Sequence, residues 1–390
     1  MYERYVAHTI SGRIGEPRRF IQVVAGPRQT GKTTAIRQAV KQVDIPCHVA
    51  SADGLFMRGP DWIGLEWQQA RQLCAGGSPA VLVLDEIQKA GNWSETVKRL
   101  WDEDTWNELP LHVVLSGSSA LLLQSGLSES LAGRFEMIRS THWSLSEMHA
   151  AFGYTLDDYL MFGGYPGSAP IHENRDRWVS YMRDSIIEST LSKDVLLMED
   201  IRKPSLLRRL FELGAQYSSQ EISYRNLLGQ LDDKGNTATL AHYLDLLAGA
   251  GMLCGLQKYE SKALNIRRSS PRLLVFDTSL MTAVWESAEG LLSSPSARGH
   301  LVESSVGASL LARSQREGFE LFWWRDGNYE VDFVAKKGER LAAIEVKSGK
   351  VGKAEGLAEF CKRHPSARPL VVGGQNLTVE RFLMEEPPLF

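Results

Sequence analysis

The sequence predicts an α/β protein of several domains, and three observations carry that expectation. Short apolar runs at residues 20–25, 80–84 and 111–115 alternate with helical periodicity, as at 33–43, which is the rhythm of a parallel sheet covered by helices. A Gly- and Pro-rich stretch at 162–170 interrupts that rhythm, and the chain beyond it is helical over 175–213 and mixed in its last hundred residues. The length, 390 residues, suits two or three domains at roughly 100 to 200 residues each.

Composition narrows the classes. With 43% hydrophobic, 23% charged and 9% aromatic residues, the chain is an ordinary globular protein, neither disordered nor fibrous. Forty-four basic against 47 acidic side chains leave a formal charge of −3, so no global field favours nucleic acid or an anionic membrane, and any such contact must come from a local patch. Cys47, Cys74, Cys254 and Cys361 show no C-x-x-C spacing, which suggests neither a disulfide framework nor a zinc ribbon. The start, MYERYVAHTI, lacks a basic region followed by a long apolar stretch, and no window of about 18 apolar residues occurs. A cytoplasmic protein without signal peptide or membrane span is expected.

The elements follow in order. Residues 20–25 form a strand ending at a Gly/Pro turn, 33–43 a helix, and 80–84 and 111–115 two further buried strands. Past the punctuation at 162–170, helices at 219–231 and 238–250 are joined by the polar turn 232–237 and followed by an apolar segment at 252–256, the order of a winged helix-turn-helix. A helix at 299–314 and strands at 320–324, 330–335 and 341–346 close the chain. Trp323 and Trp324 are adjacent, so a strand points them to opposite faces: one is core, and the other packs or stacks on a base. The nine histidines show no metal-ligand spacing.

Gly26, Pro27, Arg28, Gln29, Thr30, Gly31, Lys32 and Thr33, with Thr34 following, fit G-x-x-x-x-G-K-[ST] between a strand and a helix. The glycines let backbone N–H groups turn around phosphate oxygens, the helix presents its positive end, Lys32 neutralises β- and γ-phosphate charge, and Thr33 offers a hydroxyl to Mg²⁺. The run 80–84 ends in Asp85 and Glu86; beside a phosphate loop, Asp85 holds the metal through water and Glu86 orients or deprotonates the attacking water. The third strand ends in Ser116 and Ser118, which offer hydroxyls to a γ-phosphate or water, or form an ordinary Ser-rich turn. Arg134, in the LAGR turn, is a candidate arginine finger, acting in its own subunit or in a neighbour's site.

Together the segments GPRQTGKTT, VLVLDEIQK, LSGSSALLL, LAGR and FGGYP resemble the prokaryotic AAA-type ATPases that carry a C-terminal DUF4143 domain. The resemblance covers essentially the whole chain. It implies an additional-strand P-loop ATPase fold using ATP with Mg²⁺, then a winged-helix region and a nuclease-like terminus.

The C-terminal region holds a second constellation. Alternation along a strand puts Glu345 and Lys347 on one face, Asp332 on the preceding strand can meet them across a hairpin, and Glu303 sits on the helix before. Acids and a lysine converging there can bind Mg²⁺ or Mn²⁺, with Asp332 and Glu345 as ligands, and activate water for phosphodiester hydrolysis. This resembles the PD-(D/E)xK nuclease superfamily. The competing reading is a degenerate nuclease fold that contacts DNA or protein without cutting.

Lys258, Lys262, Arg267, Arg268 and Arg272 fall in the expected wing and form a candidate phosphate-binding patch, without sequence-specific readout. The expected domains are a P-loop ATPase core at 1–165, a helical lid or linker at 166–215, a winged helix-turn-helix at 216–285 and a PD-(D/E)xK nuclease-like domain at 286–390. The expected function is a Mg²⁺-dependent, homo-oligomeric ATPase acting on DNA, ATP turnover gating DNA binding, remodelling or cleavage, with no membrane partner. Its alternative is a nucleotide-dependent switch or regulator, bound to DNA or protein, whose nuclease fold is inactive.

Overall fold

Chain contacts divide the protein into two units, Met1–Thr141 and His142–Phe390. The structure is a computed structural model, which describes residues 2–53, 59–117, 130–196, 201, 203–231, 236–260, 270–285, 290, 292–349 and 354–390.

In the first unit, β1 (Ile21–Ala25), β2 (Cys47–Ser51), β3 (Ala80–Asp85), β4 (Leu111–Gly117) and β5 (Phe135–Arg139) form one sheet. Its order is β2-β3-β4-β1-β5, parallel throughout. Thus β4 is inserted between β1 and β3, the additional-strand arrangement that the resemblance implies. Every residue of β1 and β3 is buried, as a parallel sheet covered on both faces requires. The two-residue alternation sorts their side chains onto two cores. Ile21, Val23, Leu82, Leu84, Val113 and Leu115 pack with Trp67 of α3 (Pro60–Gln72) and with Leu100 and Trp101 of α4 (Trp93–Trp106). Val24, Val81, Val83 and Val114 pack with Ile10 of α1 (Tyr5–Ile14) and with Ala35 and Ile36 of α2 (Lys32–Gln42). The sequence reading misses β2 and β5, the two edge strands; both are only partly buried and carry polar residues, so neither reads as an apolar run.

The second unit begins with two short helices, Leu145–Phe152 and Leu156–Phe162, each started by a capping box, Ser144 with Glu147 and Thr155 with Asp158. The Gly/Pro-rich turn that suggests a boundary near 165 lies inside this unit. The reason is a buried carboxylate: Asp277 accepts a 2.7 Å hydrogen bond from the Gly164 N–H and caps the helix Thr278–Thr282 through the Ser279 N–H at 3.0 Å. Gly163 adopts φ +64°, and a Cβ there would overlap the Asp277 carboxylate. Downstream, helices Pro204–Gln216, Tyr224–Gln230 and Thr237–Gly249 precede an antiparallel pair, β6 (Leu253–Leu256) and β7 (Arg272–Val275). The second of these helices starts at Tyr224 rather than at 219, because Ser219, Gln220 and Ile222 bond the backbone of residues 271–273.

The C-terminal sheet has the order β11-β10-β9-β8, from β8 (Glu320–Asp326), β9 (Tyr329–Lys337), β10 (Arg340–Val346) and β11 (Arg368–Val372). Only β10 and β11 pair in parallel, joined by the crossover helix Glu355–Arg363. Trp323 and Trp324 are both buried, with a register shift in β8 between Phe322 and Trp324, so neither is an exposed platform for a base. No described helix is long and apolar enough to cross a membrane.

Replacing Gly163 by Ala should lower stability by about 2–4 kcal/mol, through the positive φ and the overlap with Asp277. Thermal unfolding followed by circular dichroism checks this; an unchanged midpoint would show that the turn is not held as described.

Candidate functional site

The phosphate loop leaves β1 at Ala25 and enters α2 at Lys32. Gln29 and Gly31 have positive φ, 59° and 85°, which turns the backbone around the loop. Gly26 must lack a side chain because a Cβ would overlap the Ser140 carbonyl. Thr30 is fully buried, its hydroxyl donating to the Pro27 carbonyl at 3.0 Å, and Arg28 is half-buried, whereas Gln29, Thr33 and Thr34 are exposed. Lys32 folds back, donating to the carbonyls of Gly26 (3.0 Å) and Pro27 (2.6 Å).

The order β3-β4-β1 brings three carboxyl ends together, where ligands of open α/β sheets bind. Asp85, at the end of β3, is their meeting point. Its Oδ2 accepts from the Thr33 hydroxyl at 2.8 Å, and its Oδ1 accepts from the Ser116 hydroxyl and from the Glu86 N–H at 3.1 Å. Thr33 and Asp85 are hard oxygen donors held side by side, the chemistry Mg²⁺ selects, so these residues fit the ion. Glu86 has φ 54°, and its carboxylate accepts from Gln88 Nε2 at 2.9 Å and pairs with Lys89 at 3.3 Å. Lys89 also binds Asp53 at 2.8 Å.

Arg134 is not brought to this group; it grips Asp102 of α4 with two bonds of 2.7 and 3.1 Å. Ser118 lies outside the described residues. Sequence reasoning misses Arg4, a buried guanidinium that donates to the Thr30 carbonyl at 3.1 Å and to the Ser140 hydroxyl at 3.2 Å, bracing the loop from behind. A lone arginine 26 residues from its loop partner carries no spacing signal.

In the second unit the structure does bring Glu303, Asp332, Glu345 and Lys347 together, from the helix Pro295–Glu317, from β9 and from β10 and its exit. Asp332 Oδ2 accepts the Val346 N–H at 2.7 Å, and Lys347 pairs with Glu345 Oε1 at 2.6 Å. Burial, then the charge of Asp332, raises the carboxyls of both Glu303 and Glu345 above the usual range.

The expected wing patch is redrawn. Arg272 is not an exposed phosphate contact: it is buried, 4% exposed, and lies among Glu303, Glu330 and Asp332, because it opens β7 directly against the acidic face. Lys258 pairs with Glu260 at 3.0 Å, while Lys262, Arg267 and Arg268 lie outside the described residues. Glu330, which the sequence reading does not single out, is the further acid of this group, and it also pairs with Arg325.

Residues 18–149 match the family described as AAA domain, 153–290 the domain of unknown function DUF8612, and 298–382 the domain of unknown function DUF4143. Uncharacterised proteins of Methanocaldococcus jannaschii and Mycobacterium tuberculosis are 25% and 26% identical over 284 and 264 residues, 68% and 67% of this chain. Those matches span 60% and 55% of the two relatives' own length. A Walker-type ATPase of Pyrococcus abyssi aligns with 73% of this chain and 96% of its own, at 12% identity and a TM-score of 0.48. The AAA-domain and DUF4143 matches fall where the sequence resembles an AAA-type fold with a DUF4143 terminus. Such a fold implies a nucleotide, typically with Mg²⁺.

Gly26→Ala should weaken ATP-analogue binding at least tenfold, about 1.4 kcal/mol, because the Cβ must displace backbone rather than a flexible side chain. Arg4→Met should weaken it by a similar factor through loss of the brace on Thr30. Fluorescent-nucleotide titration checks both, with circular dichroism to verify the fold.

Proposed function

We propose that this chain is a Mg²⁺-dependent ATPase acting on DNA, in which ATP binding and hydrolysis govern DNA binding or remodelling. The observation that carries the reading is the convergence of Thr33, Asp85 and Ser116 beside the phosphate loop. Lys32 leaves the two loop carbonyls and moves its charge to the β- and γ-phosphates. Thr33 and Asp85 hold Mg²⁺, which when bound neutralises phosphate charge. Glu86 orients the attacking water, and the Ser116 hydroxyl, with Ser118, senses the γ-phosphate. Arg134 serves a neighbouring subunit of a homo-oligomer as its finger, with Asp102 as its resting partner.

The DNA reading is supported by the helix order 204–249 followed by the β6–β7 hairpin, which suits a winged helix, with Thr237–Gly249 as the groove-facing candidate. Lys258, Lys262, Arg267 and Arg268 would contact phosphates, giving salt-dependent, sequence-tolerant affinity. The C-terminal sheet suits a nuclease-like domain; Arg272 among its acids favours a domain that binds over one that cuts.

Lys32→Ala should reduce ATP turnover to background, and Glu86→Gln should slow it by about 10²–10⁴ while nucleotide still binds. Turnover that survives Lys32→Ala would refute the site. Duplex binding followed by fluorescence anisotropy should change on adding ATP with Mg²⁺ and weaken steeply as salt rises; equal affinity with and without ATP would refute the coupling.

A further inference from the structure

A buried guanidinium keeps its charge and must be matched by acids on the spot. Arg272 is matched from two further elements. Its Nη1 donates to Glu303 Oε1 at 2.9 Å and to the Asp332 carbonyl at 3.2 Å, and lies 3.5 Å from Asp332 Oδ1. Its Nη2 pairs with Glu330, and its Cζ lies 5.5 Å from the centre of the Trp323 ring.

These contacts use the oxygens a catalytic metal would need. Asp332 Oδ1 and Glu303 Oε1 face Arg272, Asp332 Oδ2 holds the Val346 N–H, and Glu345 Oε1 holds Lys347. Glu345 Oε2 is left buried with no hydrogen-bond partner. That oxygen and the second oxygen of Glu303 are a poor seat for Mg²⁺ or Mn²⁺, which need a fuller set of oxygen donors in near-octahedral array. Among the described residues, no three His, Cys, Asp or Glu side chains are grouped so as to hold one metal ion. The residues of this pocket therefore do not fit the divalent ion that a PD-(D/E)xK nuclease requires.

We propose that Arg272 is the resident cation of this carboxylate pocket and stands where a nuclease would hold its metal, so that the C-terminal domain binds without cutting. The guanidinium ties β7 to the helix Pro295–Glu317 and to β9, using the acids for cohesion rather than catalysis. A divalent ion entering beside it would meet a fixed like charge that is itself only 4% exposed to solvent. The occupancy of the pocket by Arg272 is independent of the proposed ATPase; the consequence for cutting rests on the nuclease-like reading of the terminal sheet.

The test uses the full chain without nucleotide, titrated with Mn²⁺ and followed by electron paramagnetic resonance. The natural protein and Glu345→Gln should take up Mn²⁺ alike, and neither should cleave labelled linear, single-stranded or branched DNA with Mg²⁺ or Mn²⁺. An ion taken up by the natural protein and lost in Glu345→Gln, or cleavage lost in that variant, would overturn the proposal. Arg272→Met, which frees Glu303 and Asp332, should gain one Mn²⁺ at least tenfold tighter than the natural protein, and Asp332→Asn added to it should remove that ion. A folded Arg272→Met protein that gains no ion would also overturn the proposal; if that variant does not fold, the comparison with Glu345→Gln still decides. ATP turnover by the natural protein, measured in parallel, separates a failure of the ATPase reading from a failure of this one.

Discussion

The position of β4 between β1 and β3 is the constraint on which the first unit depends. It sets Ser116 at the end of β4 against Asp85 at the end of β3, while the phosphate loop from β1 delivers Thr33 to the other oxygen of the same carboxylate. A sheet without the inserted strand would pair β1 with β3 directly and leave no hydroxyl between them. The parallel order also demands cover on both faces, and the two apolar cores supply it, α1 and α2 on one side and α3 and α4 on the other.

Behind the loop, a second group of contacts fixes its shape. Arg4 reaches the Thr30 carbonyl and the Ser140 hydroxyl, and Gly26 passes so close to Ser140 that only a glycine fits. In front, the groups proposed to take phosphate and metal are satisfied by one another: Lys32 by the loop carbonyls, Thr33 by Asp85. On the proposed reading, nucleotide binding would be an exchange of these partners.

The second unit is organised by buried charges. Asp277 receives the Gly164 N–H and starts the helix Thr278–Thr282, which explains why Gly163 cannot carry a side chain; at Gly164 a Cβ would overlap the Trp143 carbonyl. Arg272 does the same on a larger scale, joining the hairpin strand β7 to acids of a helix and a sheet. In each case a charge out of water is kept because several partners converge on it.

The sequence alone determined the candidate nucleotide site and the central strands. The phosphate loop is a continuous motif whose glycines and lysine act through local geometry, and β1, β3 and β4 are apolar because both their faces are covered. The edge strands β2 and β5 escaped notice because partial exposure leaves them polar. The spacing of Asp332, Glu345 and Lys347 on neighbouring strands was also legible, since a two-residue period fixes their face. What only the tertiary structure decided is which cation those acids hold. Arg272 reads as one more basic residue of a wing, and its three acidic partners, Glu303, Glu330 and Asp332, lie between 31 and 60 residues further along the chain. Charge matching in a buried pocket depends on which distant strands and helices meet there, and no local pattern encodes that meeting.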